Sequence, residues 1–132
     1  MKKMLLTLLV ICAAISLSQA QIVITEIMYN PPESGTDSLE YIELYNVSNA
    51  SVNMEGWSMF GVEYVFPAFT LAPGKYVVLS KNAAALQSVL GVSTTQWTNG
   101  ALTNSPGETI KVLNAAGATI DEVTYVNAAP WP

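Results

Sequence analysis

The stretch "NPPESGTDSLEYIELYN", residues 30–46, gathers the side chains best suited to chemistry: Asp37, Glu40 and Glu43, with Tyr41 and Tyr45 between and beside them. Three carboxylates next to a turn-rich loop could collect, with backbone carbonyls of residues 30–38, the about six to eight oxygens that Ca²⁺ takes. Glu40 and Glu43 could also be read as an acid pair for glycoside hydrolysis, which needs two carboxyl groups several ångströms apart. The spacing favours neither. Strand residues three apart point to opposite faces of a sheet, and the loop lacks the regular Asp/Asn-Gly ligand spacing of a calcium loop. The stretch reads instead as loop and sheet: Glu43 joins Tyr41 and Tyr45 on the wet face, while Glu40, in phase with Ile42, stands at the strand's start. No catalytic residue, metal ligand or cofactor-binding residue is assigned.

The remaining chemistry is narrow. The chain has no histidine, and its single cysteine, Cys12, lies in an N-terminal apolar run. Beyond that run there is no disulfide, no thiolate or imidazole metal site, no cysteine nucleophile and no histidine base. Asp121 and Glu122 are adjacent, so on a strand their side chains diverge, and they read as solvated hairpin charges. Tyr29, Tyr41, Tyr45, Tyr64, Trp97 and Trp131 could make an aromatic platform for a sugar or a protein, although sheet faces and core also use such residues. Asn46-Val47-Ser48 and Asn49-Ala50-Ser51 match the glycosylation sequon, a short pattern that also arises by chance.

Residues 1–20 have the form of a secretory signal peptide. Lys2 and Lys3 precede an apolar run over residues 4–15, and the small residues Ser18 and Ala20 place the cut before Gln21. The run is short for a bilayer span, so no stable membrane span is expected after signal removal. Residues 21–132 then form a single domain. Three lysines against ten acids leave it a net charge of −7, and the chain has no arginine. A grip on phosphate backbones needs clustered Lys and Arg, so no nucleic-acid partner is expected.

Within this domain, the alternations in residues 21–29, 40–46, 57–60, 62–66, 75–80, 108–114 and 119–126 each predict a strand. In the first, the apolar set slips by one step between Ile24 and Ile27. Pro31-Pro32, Pro73-Gly74, Asn99-Gly100 and Pro106-Gly107 mark turns. The stretch "KNAAALQSVLG", residues 81–91, holds the only helical candidate, with Asn82 placed to cap it, Ala83 to Ala85 favouring helix and Gly91 placed to end it. The fold class is all-β: an immunoglobulin-like β-sandwich with one short helix.

The ordered set "IVITEIMYNPP", "EYIELYN", Gly56-Trp57, "YVFPAFTLAPGKYVVLS", "TNGALTNSPGETIKVLN" and "DEVTY" resembles the lamin-tail domain, in particular its secreted bacterial type. No one motif is specific; the order and spacing of the set are. On this resemblance Gly56 releases the chain from a turn, Trp57 fills the core, and Phe66-Pro67 with Leu71 and Pro73-Gly74 carries the chain from one sheet to the other. The resemblance implies a binding or positioning module, commonly set beside nucleases, phosphoesterases or adhesion modules. In bacterial relatives the "PWP" element usually runs on into further sequence, so a fragment, a truncated reading frame and a stand-alone domain all remain open for a chain that stops at Pro132.

The expected function is that of a secreted, non-catalytic domain at or outside a bacterial envelope, binding or spacing an unknown protein or glycan, and its unpaired strand edges leave self-association open. No enzymatic activity and no cofactor are expected. The alternatives are an accessory domain of a secreted hydrolase and a calcium-dependent adhesion module.

Overall fold

In a computed structural model, residues 21–32 and 35–128 are described. The signal-peptide reading of residues 1–20, with Cys12, and the reading of Trp131 as a platform aromatic both fall outside the described residues. The elements run in chain order as β1 (Ile22–Met28), β2 (Tyr41–Asn46), β3 (Val52–Asn53), β4 (Ser58–Phe60), β5 (Thr70–Leu71), β6 (Tyr76–Ser80), α1 (Ala83–Leu90), β7 (Thr95–Gln96), β8 (Gly107–Leu113) and β9 (Thr119–Val126). They form a four-stranded sheet in the order β1-β2-β6-β7, a three-stranded sheet in the order β4-β8-β9, and a two-stranded β3-β5 ribbon. This is the all-β, immunoglobulin-like architecture that the alternating pattern predicts.

The slip in the apolar pattern of β1 has a structural cause. Antiparallel pairing with β2 shifts register between Ile24 and Glu26, leaving Thr25 as an inserted residue. A bulge of this kind changes which side chains face the core. Ile22 and Ile24 are therefore buried before it, and Ile27 and Tyr29 pack against the core after it.

The core lies between the sheets. Ile42 and Leu44 of β2, Leu79 of β6, and Ile110 and Val112 of β8 are fully buried, and Phe66, Leu71, Trp97 and Leu102 close around them. Trp57 departs from expectation: it is only partly buried, packed at the margin of this cluster, whereas Trp97 is the tryptophan inside it. The loop position of Trp97 explains the difference. Its indole Nε1 donates to the Gly100 carbonyl at 3.0 Å, which satisfies its polar end while the ring is buried.

Two further departures concern strands. Residues 62–66 keep the expected alternation, with Val62 and Phe66 buried and Glu63 and Val65 exposed, but form only isolated bridges, Ser58 to Val65 and Glu63 to Asn99. Conversely, β3, β5 and β7 are two-residue strands in segments whose composition is loop-like. β7 pairs in parallel with β6, Leu79 with Thr95 and Ser80 with Gln96, a pairing that no local pattern encodes.

The helix forms as expected. Asn82 accepts a hydrogen bond from the Ala85 N–H at 3.0 Å, and Gly91, at φ 69°, turns its own N–H back to the Gln87 carbonyl at 3.1 Å. Leu86 is its buried residue and lies outside the main core cluster. The helix thus covers part of the other face of the four-stranded sheet, where Leu86 shares a cavity with Val78, Tyr41 and Glu43.

Candidate functional site

The acidic stretch divides into two sites on opposite sides of β2, because Glu40 and Glu43 have opposite parity. Glu40 turns inward and is fully buried. Its Oε2 accepts from the Leu102 N–H at 2.9 Å, and its Oε1 lies 3.3 Å from the Lys81 Nζ. Burial raises the Glu40 pKa, and the Leu102 N–H and the Lys81 ammonium pull it back down. Glu40 is thus a buried polar tie rather than a solvated charge at the mouth of a strand. The in-phase position beside Ile42 forces it inward, and Leu102 and Lys81 make that burial tolerable.

Lys81 sits beside the loop that carries Asp37. Its Nζ donates to the Thr36 carbonyl at 3.1 Å as well as meeting Glu40, so an ammonium stands between one loop carbonyl and the Glu40 carboxylate. Asp37, in the left-handed region at φ 47°, instead accepts from the Asn104 Nδ2 at 2.8 Å. Glu43 is on the other face. Among the described residues no group of three or more Asp, Glu, Cys or His side chains is arranged to hold a metal ion.

On the outer face, Glu43 stands directly across from Glu26 in the β1–β2 register. Thr25 Oγ1 donates to Glu43 Oε1 at 2.8 Å, and the Tyr41 hydroxyl donates to Glu26 Oε1. The Tyr41 pKa is pushed up to about 12, first by burial and then by that bond to Glu26. The phenol therefore stays protonated and keeps donating throughout the physiological range. Tyr45 pairs with Tyr76 further along the face, with ring centroids 4.5 Å apart.

The other candidates take structural positions. Asp121 is not a solvated hairpin charge: its Oδ2 accepts from the Ile24 N–H at 2.7 Å, tying β9 to the edge of β1 across the two sheets. Glu122 points outward to Lys111 at 2.6 Å. Among the described residues, the aromatics do not form one platform. Tyr29 stacks on Tyr125 at 4.5 Å, Tyr64 meets Phe66 edge-on at 4.9 Å, and Trp97 is in the core. Asn46 is fully buried with its Nδ2 donating to the Ala50 and Leu71 carbonyls, which closes that sequon to a glycan, while Asn49 is exposed.

Nothing in the local sequence singles out Glu108. It accepts from the Thr103 N–H at 2.6 Å and from the Tyr125 hydroxyl at 2.9 Å. Burial and that carboxylate raise the Tyr125 pKa.

Two sheets face to face, with a buried glutamate tie between them, define an immunoglobulin-like domain. The model of the family described as Lamin Tail Domain matches residues 16–127, and the chain belongs to that family. No curated protein matches the chain.

Proposed function

We propose that this lamin tail domain is a secreted binding or spacing module that works by surface complementarity on a rigid sandwich, at or outside a bacterial envelope, and performs no catalysis. The observation that carries this reading is where the acids are placed. Glu40, Asp121, Glu108 and Glu122 are each held by a partner of the fold, on Leu102 and Lys81, on Ile24, on Thr103 and Tyr125, and on Lys111. A general acid or base must instead reach a substrate proton. The residues left at the surface present area and charge, which is what a binding face requires. The basic, apolar and small-residue order of residues 1–20 supports export.

The test has two arms. Export in a bacterial host followed by N-terminal sequencing is expected to give a product beginning at Gln21 outside the cytoplasm; a cytoplasmic, uncut chain would refute secretion. Incubation with phosphodiester, phosphomonoester and glycoside substrates, with and without divalent cations, is expected to give no turnover. Turnover that survives repurification and disappears on unfolding would refute the binding reading.

A further inference from the structure

We infer that the groove between α1 and the outer face of the four-stranded sheet is a docking site for an arginine side chain of a protein partner. This rests on the binding reading above and specifies the chemistry of what is bound. The groove encloses about 220 Å³, with Val78, Leu86, Leu90 and Val92 as its apolar lining and Tyr41, Glu26 and Glu43 as its polar wall. Pockets that enclose a drug-sized molecule run to roughly 300–1,000 Å³. This one has room for a single long side chain. Leu90, in that apolar lining, is 53% exposed and would meet the residues flanking that side chain.

The charge of the wall selects a cation. Glu26 and Glu43 are direct cross-strand partners, an arrangement that is unfavourable for like charges. Each is held through its Oε1 by a hydroxyl, from Tyr41 or Thr25, so their Oε2 atoms are left for an incoming donor. Among the described residues no lysine lines the groove: Lys81 is held by Glu40, Lys111 by Glu122, and Lys75 precedes β6 beyond Tyr76. Leu90, the last residue of α1, also lines the groove, and the last turn of that helix carries no basic side chain, so its partial negative charge is not offset there.

Guanidinium fits this wall better than ammonium does. It is planar and weakly hydrated, and it presents several N–H donors in a fork that two adjacent carboxylates can receive. Its face can also lie against the Tyr41 ring while the methylene stem runs over Val78 and Leu86.

The test is a titration of the ¹⁵N-labelled full chain with blocked Val-Arg-Val, Val-Lys-Val and Val-Gln-Val peptides, read by amide shifts. The arginine peptide is expected to move the amides of Glu43, Val78, Leu86 and Val92, to bind at least about tenfold more tightly than the glutamine peptide, and to outbind the lysine peptide. Added salt is expected to weaken it. The Glu26→Gln/Glu43→Gln double variant, which relieves a like-charge pair and is expected to melt no lower than wild type, should lose the preference for arginine. Leu90→Ser, at an exposed position, should weaken all three peptides alike. Equal binding of the three peptides, a lysine peptide as tight as the arginine one, an unchanged preference in the double variant, shifts confined to another face, or no shifts would each overturn the proposal. A silent titration without turnover refutes the groove alone, whereas turnover in the substrate assays refutes the binding reading whatever the titration gives.

Discussion

Truncating Glu40 tests the central physical claim about the acidic stretch, that its first glutamate holds the fold together from inside. In Glu40→Ala the Leu102 N–H, now bonded to Oε2 at 2.9 Å in a buried position, loses its acceptor. An unsatisfied buried donor costs about 1–3 kcal/mol. Removing one member of a fully buried ion pair costs about 3–5 kcal/mol. Lys81 keeps 28% of its side chain exposed and retains the Thr36 carbonyl at 3.1 Å, so its loss is smaller than that. We expect a total of about 2–4 kcal/mol, or a fall in Tm of about 8–16 °C for a domain of this size. Glu40→Gln keeps the shape and an acceptor for Leu102 and gives up only the charge, so we expect it to cost under about 1.5 kcal/mol.

Urea unfolding followed by tryptophan fluorescence can separate the two variants, since Trp97 is a buried reporter. The pH dependence adds an independent check. Burial raises the Glu40 pKa in the folded state, so the folded chain holds that proton more tightly than the unfolded chain does. Stability from this group is therefore fullest below the ordinary carboxylate range and falls as pH rises through the window up to the raised value. Glu40→Gln has no such proton, so its stability relative to wild type should improve across that window. An alanine variant within about 1 kcal/mol of wild type, or a glutamine variant as damaged as alanine, would refute the hydrogen-bonded tie.

Trp97→Ala should cost about 3–5 kcal/mol in urea unfolding, and Trp57→Ala clearly less, because only Trp97 is inside the core; the reverse order would overturn the assignment. Gly107→Ala should lose more than about 3 kcal/mol or fail to fold, since at φ 111° an added Cβ would press on the β9 backbone, 2.8 Å from the Val126 Cα; Gly35→Ala, with open space around it, should cost about 1–2 kcal/mol, and equal Tm values for the two would count against the packing of β8 on β9. Asp121→Ala should free the Ile24 N–H at the edge of β1, and analytical ultracentrifugation should show more self-association than in wild type; an unchanged monomer would mean that Asp121 does not guard that edge.

What could be read in advance was what depends on neighbours along the chain. The helix from Ala83 to Leu90 was legible because Asn82 and Gly91 act on backbone groups three and four residues away. The alternation of β2 placed Ile42 and Leu44 inside and Tyr41, Glu43 and Tyr45 on the other face. Partners distant in sequence were not legible. Leu102 is 62 residues from Glu40, and Asp121 is 97 residues from Ile24, so neither the buried tie nor the edge guard leaves a local signal. Strands such as β7 are held by a neighbour rather than by their own composition, and Trp57 and Trp97 cannot be ranked for burial without knowing which loop folds inward.

The outer groove shows how a feature can be encoded without being visible. Parity alone puts Glu43 on the wet face, where a glutamate is ordinary. It becomes unusual only when the bulge at Thr25 moves Glu26 into register opposite it. Without the inserted residue, the side chains of β1 beyond Ile24 would exchange faces, and Glu26 would point toward the core while Ile27 pointed to solvent. The same slip that keeps Ile27 and Tyr29 packed on the core therefore creates the opposed carboxylates. Core packing accounts for the bulge, and nothing in the core requires an acid at both positions. A fold selected for stability alone could set threonine or lysine against Glu43. The like-charge pair, beside an apolar groove, is where this chain departs from what its own stability favours, and that departure is the ground on which we propose the groove as a binding surface.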